Sequence, residues 1–188
     1  MKEIILAADK LAREEIRTYG KPMELFYDLS NETGLFLAKK LGADTEIVEI
    51  GTRLMDVALG RASSQENIEN HKAMGVEMTK EFLSSFDISQ EVKNKIVHCV
   101  EAHHGDIPWE CIEAEICANA DCYRFISPIP FISFIHSLGK RGLSFEESLE
   151  FAKTKLEEKW NILSLEICKQ ELEPHYKAIK KMLAERRE

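Results

Sequence analysis

One carboxylate sits in the middle of an apolar run, "TRLMDVALG" at positions 52–60. Leu54, Met55, Val57, Ala58 and Leu59 belong inside a protein, where an ionised Asp56 is costly unless something pairs with it or binds it. Three more groups of the same kind follow at helical spacing. In "NIENHKAMGVEMTKEFL", Ile68, His71, Gly75, Met78 and Phe82 recur at three and four positions, so His71 points with the apolar face. In "EVKNKIVHCVEAHHG" the walk Val92, Ile96, Val100, His103 makes His103 the last member of another buried stripe, and His104 follows at the helix end. Ala114, Cys117, Asp121 and Phe125 share a third face, which buries a second carboxylate. Each alone has an ordinary explanation, a hydrogen-bonded core histidine or an aspartate that caps a helix or pairs with Arg53 or Arg61. Together, imidazole and carboxylate are the ligand types that hold Mn, Fe, Co, Ni, Zn or Mg, and a bound cation offsets the desolvation of the carboxylates.

The elements that must position these groups are helices. Apolar residues recur at three and four positions along nearly the whole chain, and two-residue alternation is missing, so the fold class is all-α. The periodicity predicts helices over roughly 2–18, 22–41, 45–59, 65–85, 90–104, 108–126, 130–138 and 145–172, and a last one from about 175. Gly20 and Pro22 separate the first two, "GAD" at 42–44 ends the second, Pro108 suits a first helical turn, and "SPIP" at 127–130 interrupts the sixth. Ser144 and Glu147 have the spacing of a capping box. Helical bundles build metal sites from inward groups on facing helices, which suits Asp56, His71, His103 and Asp121.

With 188 residues, 44% hydrophobic and 31% charged, the chain can bury a sizeable core, and it reads as one domain with a core over about 22–126 and a helical extension over about 130–188. In the extension, Leu149, Ala152, Leu156, Trp160, Leu163 and Ile167 form a stripe suited to a lid or brace, and Lys153, Lys155 and Lys159 read as a solvated charged face. A formal charge of −8 argues against general nucleic-acid backbone binding, although a local basic pocket for a small phosphate ester is compatible with it. No apolar run approaches the roughly 20 residues that span a bilayer, and "MKEIILAADK" is too short an apolar stretch for a secretion signal, so a cytoplasmic protein is expected. Five cysteines without a CxxC pair favour buried free thiols over a disulfide framework or a thiolate zinc site.

From about Phe26 to Asp121, through "LFLAKKLGADTEIVEIGTRLMD", "ENHKAMG", "VEAHHG" and "ANAD", the chain resembles the HD-domain superfamily of metal-dependent phosphohydrolases. The resemblance implies an HD-domain-like helical bundle in which Asp56 is the aspartate of the His-Asp pair, His71 the later His, His103 the next, after Val100 in place of Ile, and Asp121 the last ligand. Met55 stands where the His of the pair belongs, and the family's first His falls near Phe26, where Asp28 or Asn31 could serve only in a shifted register. A thioether suits the family's hard ions poorly and a phenyl ring binds none, so one of two metal positions is lost and about one ion per chain is expected.

Two functions follow from the resemblance. The first is a phosphohydrolase, a phosphomonoesterase or phosphodiesterase acting on a nucleotide or other small phosphate ester. In it Asp56, His71 and His103 hold the metal, Asp121 is a further ligand or a base orienting the attacking water, and His104 assists as acid or base from the helix end. Arg61, Lys72 and Arg124 would meet the substrate phosphate, or else are exposed surface charges. The second is a catalytically silent domain that binds a metal or a nucleotide as a sensor or interaction module, favoured by the loss of both histidines. A homo-oligomer is compatible with either.

Overall fold

The structure, a computed structural model, describes residues 1–184. Ten α-helices carry the described residues: α1 (Lys2–Tyr19), α2 (Glu24–Leu41), α3 (Thr45–Leu54), α4 (Leu59–Ser64), α5 (His71–Ser84), α6 (Gln90–Glu101), α7 (Ile112–Ile126), α8 (Pro128–Lys140), α9 (Phe145–Ile162) and α10 (Glu166–Ala184). No strand occurs among the described residues, so the all-α class expected from the periodicity is the one found. Two compact units result, Met1–Ala120 and Asp121–Glu188, with the boundary inside α7.

In the first unit α3 is central and packs against α1, α2 and α6. Its Asp44 cap accepts hydrogen bonds from the Glu46 and Ile47 amides at 3.0 and 3.2 Å, and Val48, Ile50, Gly51 and Leu54 are buried. Two glycines let the backbones approach. A Cβ on Gly51 would lie 2.6 Å from Cys99 Cβ on α6, and one on Gly34 of α2 would lie 2.7 Å from Thr52 Cγ2. The α1 helix buries Ile4, Ala8, Ala12 and Ile16 in steps of four, and ends where Gly20 takes φ +72° and its amide reaches Ile16 O at 2.7 Å. The α5 and α6 helices form a second packed pair, joined by the short link 85–89.

In the second unit α8 packs on α9 and α9 on α10. The capping box at Ser144 and Glu147 is present at the start of α9. Trp160 and Tyr176 stack with parallel rings 4.2 Å apart and fasten α9 to α10. Among the described residues no helix is long and apolar enough to cross a membrane.

Several boundaries depart from the periodicity, and three matter for the site. The segment expected as one helix over 45–59 ends at Leu54, turns through 55–58, and resumes as α4. The segment 65–85 divides into a 3-10 turn, Ile68–Asn70, and α5, so His71 opens a helix instead of lying within one. The buried row of α5 is accordingly Gly75, Thr79 and Leu83, not Gly75, Met78 and Phe82. The segment 90–104 ends at Glu101, which leaves His103 and His104 in the following turn. Elsewhere Pro108 precedes α7, which starts at Ile112, and the expected helix 145–172 breaks at Leu163–Leu165.

Candidate metal centre

Three chain reversals bring the candidate ligands together. Met55 caps α3 through its amide to Gly51 O at 2.9 Å, and the turns that follow bury Asp56 at 7% exposure. His71 is the first residue of α5. After α6, the Ala102 amide closes on His98 O at 2.9 Å, His103 and His104 come next, and Gly105 at φ +65° returns its amide to Ala102 O at 2.9 Å. Each ligand therefore projects from a turn or a helix end.

Those backbone groups set the imidazoles. His71 Nδ1 lies 2.7 Å from Ile68 O and His103 Nδ1 lies 2.7 Å from Val100 O. A carbonyl only accepts, so each neutral ring carries its proton on Nδ1 and presents a bare Nε2. Both Nε2 atoms face the same oxygen, Asp56 Oδ1, at 4.0 Å from His71 and 3.6 Å from His103. His103 is fully buried and its Nε2 has no hydrogen-bond partner. Three lone-pair donors thus converge with no hydrogen of their own between them. Ligands about 2.1 Å from a common ion, at roughly 90–110° to one another, lie about 3–3.5 Å apart, so a small contraction fits Asp56, His71 and His103 around one cation. His104 lies close to the two histidines: a ring nitrogen from each of His71, His103 and His104 falls within one cluster of atoms no more than 4.8 Å apart, a group that does not include Asp56, and the His104 ring centroid is 4.2 Å from that of His103 and 5.0 Å from that of His71. The donor set, nitrogen and carboxylate oxygen, suits a borderline or hard divalent ion and could hold a metal.

The remaining expected residues have other company. Asp121 lies in the second unit, fully buried, with Lys159 Nζ 2.7 Å from Oδ2 and the Arg124 guanidinium on Oδ1. Neither cation is a surface charge: Arg124 is buried, and Lys159, read from the sequence as part of a solvated face, is 2% exposed. Arg61 grips Glu15 through Nε at 3.2 Å and Nη2 at 2.5 Å. Arg53 lies 3.8 Å from Asp9 and 3.6 Å from Glu49. Lys72, directly after His71, donates to Asp106, two residues beyond His104. Burial opposes the Asp106 charge, but the Lys72 ammonium outweighs it and holds the carboxyl below its usual range. Met55 and Phe26 are buried side chains with 2% and 5% exposure, and Asp28 on α2 accepts from Arg13 Nη2 at 2.9 Å. The Lys72–Asp106 and Lys159–Asp121 pairs carry no helical-period signal in the sequence, since neither pair shares a helix.

No family model matches the chain. It is 33% identical over 101 residues to ribonuclease Y of Finegoldia magna and 32% identical over 92 residues to ribonuclease Y of Treponema denticola, stretches that cover 54% and 49% of this chain. They cover only 18% and 16% of those relatives, so the chain corresponds to a small part of each. Two crystal structures of Bacillus subtilis YpgQ, the second in complex with ADP, superpose with TM-scores of 0.69 and 0.70 over 96% of this chain and 94% of theirs, at 15% and 14% identity. At that identity the likeness establishes the fold, an HD-domain-like arrangement of helices.

Proposed function

We propose that this chain is an HD-superfamily domain that binds one divalent metal ion through Asp56, His71, His103 and His104 and hydrolyses a phosphate ester of a nucleotide. The observation that carries it is the convergence of two Nε2 atoms, each set as an acceptor by a backbone carbonyl, on one buried carboxylate oxygen at 3.6 and 4.0 Å. When bound, such an ion supplies Lewis acidity at the phosphoryl oxygen and a more acidic attacking water, whose pKa falls from 15.7 to about 7 in the most favourable zinc case.

The chain's own residues do the rest. The Ile68 and Val100 carbonyls hold the imidazoles in the ligating tautomer, as outer partners of metal-bound histidines do. Burial of Asp56 and His103 keeps competing water from those ligands. In this scheme His104, from the half-exposed turn, takes the outermost ligand position. A phosphate-binding role for Arg61, Lys72 or Arg124 requires each to leave the carboxylate that now holds it: Glu15, Asp106 or Asp121. The ADP bound in YpgQ and the phosphodiester chemistry named in ribonuclease Y support a nucleotide substrate.

The burial of Met55 and Phe26 favours a second reading, a domain that binds metal without turnover. Metal analysis of protein purified without chelators, followed by a screen of nucleoside mono- and diphosphates and a short oligoribonucleotide with added manganese, separates the two. One ion per chain with turnover, both abolished by His103→Ala, is the expected outcome. One ion without turnover on any substrate assigns the silent role, and no stoichiometric ion refutes both.

A further inference from the structure

The two segments that contribute the three histidines meet at the open end of a helical hairpin. The α5 and α6 helices pack together and are joined through residues 85–89, at the end of α5 and the start of α6. His71 stands at the opposite end of α5, and His103 and His104 lie just past the opposite end of α6. With 14 residues in α5, the covalent link is about 20 Å of helix away from the ligands. A small change in splay between the helices is magnified at that end. Metal ligands tolerate errors of a few tenths of an ångström, so the spacing there has to be fixed locally.

We propose that Lys72 and Asp106 form an electrostatic clasp that sets this spacing, making them positioning residues for the metal centre. Lys72 is the immediate neighbour of His71, and Asp106 follows His104 by two residues across Gly105. Their ion pair therefore spans the same gap as the ligands, one residue beyond His71 and two beyond His104. Gly105 in the left-handed region turns the chain between His104 and Asp106, a conformation other residues enter at a cost. Two bonds tie the neighbouring loop to its own helix: Trp109 Nε1 donates to Ala102 O at 3.1 Å and the Glu110 amide donates to His98 Nε2 at 3.0 Å. Those bonds give the turn its shape, while the clasp joins it to α5. Lys72 and Asp106 side chains are 23% and 54% exposed, so the pair contributes little to global stability and its effect falls on ligand geometry.

The inference rests on the metal-binding reading, and the experiment tells the two apart. Zinc and manganese are titrated calorimetrically into the chelator-stripped full chain and into His103→Ala, Lys72→Ala, Asp106→Ala and the swapped pair Lys72→Asp with Asp106→Lys. Each single alanine variant should weaken metal affinity about tenfold or more, the range for losing an outer partner of a metal site, while its melting temperature in chelator stays within about 3 °C of wild type. The swapped pair should recover most of the lost affinity, which loss of a merely structural contact would not predict. Wild-type affinity in Lys72→Ala, with His103→Ala abolishing binding, overturns the clasp and leaves the metal centre standing. Equal weakening in the single variants and the swapped pair also overturns it. Unchanged binding in His103→Ala removes the metal centre itself and the clasp with it.

Discussion

Replacing Asp56 by Asn separates a metal carboxylate from a structural one. In the wild type, Oδ1 faces Nε2 of His71 and of His103 at 4.0 and 3.6 Å, an arrangement that a bound cation stabilises. At a free metal concentration 100 times Kd, binding stabilises the folded chain by about 2.7 kcal/mol. For a chain of 188 residues, each kcal/mol moves the melting temperature by about 2–4 °C, so metal should raise it by about 5–11 °C. An amide oxygen carries no formal charge and is a much weaker ligand, so Asp56→Asn should lose most of that rise. In chelator the same change should leave the melting temperature equal or higher, because a buried charge has been removed. Differential scanning calorimetry of both proteins, with manganese or zinc and with chelator, measures all four values. A wild type insensitive to chelator, with Asp56→Asn destabilised by the same amount in every condition, would refute the metal centre and mark Asp56 as a structural hydrogen-bonding group.

His71→Ala should abolish metal binding, yet in chelator cost only about 1 kcal/mol, because the residue begins α5 and its one backbone bond is local; calorimetry of the stripped protein checks this. Met55→His should add no second tight metal, since Phe26 still leaves that position short of a ligand, and a second ion found by metal analysis would contradict the reading. Asp121→Asn should cost about 3–5 kcal/mol by urea unfolding, as it strips the carboxylate from buried Lys159 and Arg124, and adding Lys159→Met should recover part of the loss. Glu157 is held below its usual carboxylate range by the hydroxyl of Tyr176 and the ammonium of Lys180, so its contribution is present above about pH 4.5 and fades as the pH falls through its lowered folded value. Glu157→Gln should therefore lower stability at pH 7 by under about 1 kcal/mol, the pair being partly exposed, with the difference shrinking below about pH 4.5 and vanishing below the lowered folded value in a pH series of melts.

Much of the fold was legible because helical period and punctuation agree. Gly20 and Gly42 both end helices in the left-handed region, Ser144 and Glu147 cap α9, and Pro128 sits at the start of α8 after α7 stops at Ile126. Where the apolar period continues without glycine or proline, the helix ends were hidden. Leu163 and Ile167 extend the stripe of α9 across the break into α10, and Met55 and Val57 do the same past the end of α3. In the other direction, the break expected between 172 and about 175 is absent, and α10 runs on through Pro174; Gln170, whose carbonyl loses a partner there, is exposed. Lys159 could not be recognised as buried, because the carboxylate that admits it lies 38 positions earlier on a different helix.

The misplaced boundaries bear directly on the chemistry. A histidine in the middle of a helix has neighbouring carbonyls already bonded within the helix, so its ring tautomer is left to the partners it finds in the core. His71 and His103 stand instead at a helix start and just past a helix end: Val100 O, in the last turn of α6, and Ile68 O, which also accepts from the His71 amide in the 3-10 turn, each lie 2.7 Å from Nδ1. The same placement leaves Nε2 of both rings facing Asp56, which itself occupies a turn between α3 and α4. Had the three helices continued as their periodicity suggests, the residues would still have reached an apolar interior, but with no backbone group to fix which nitrogen is bare. Breaking the helices at the ligands is thus what converts a set of inward-facing polar residues into a set of aligned lone pairs.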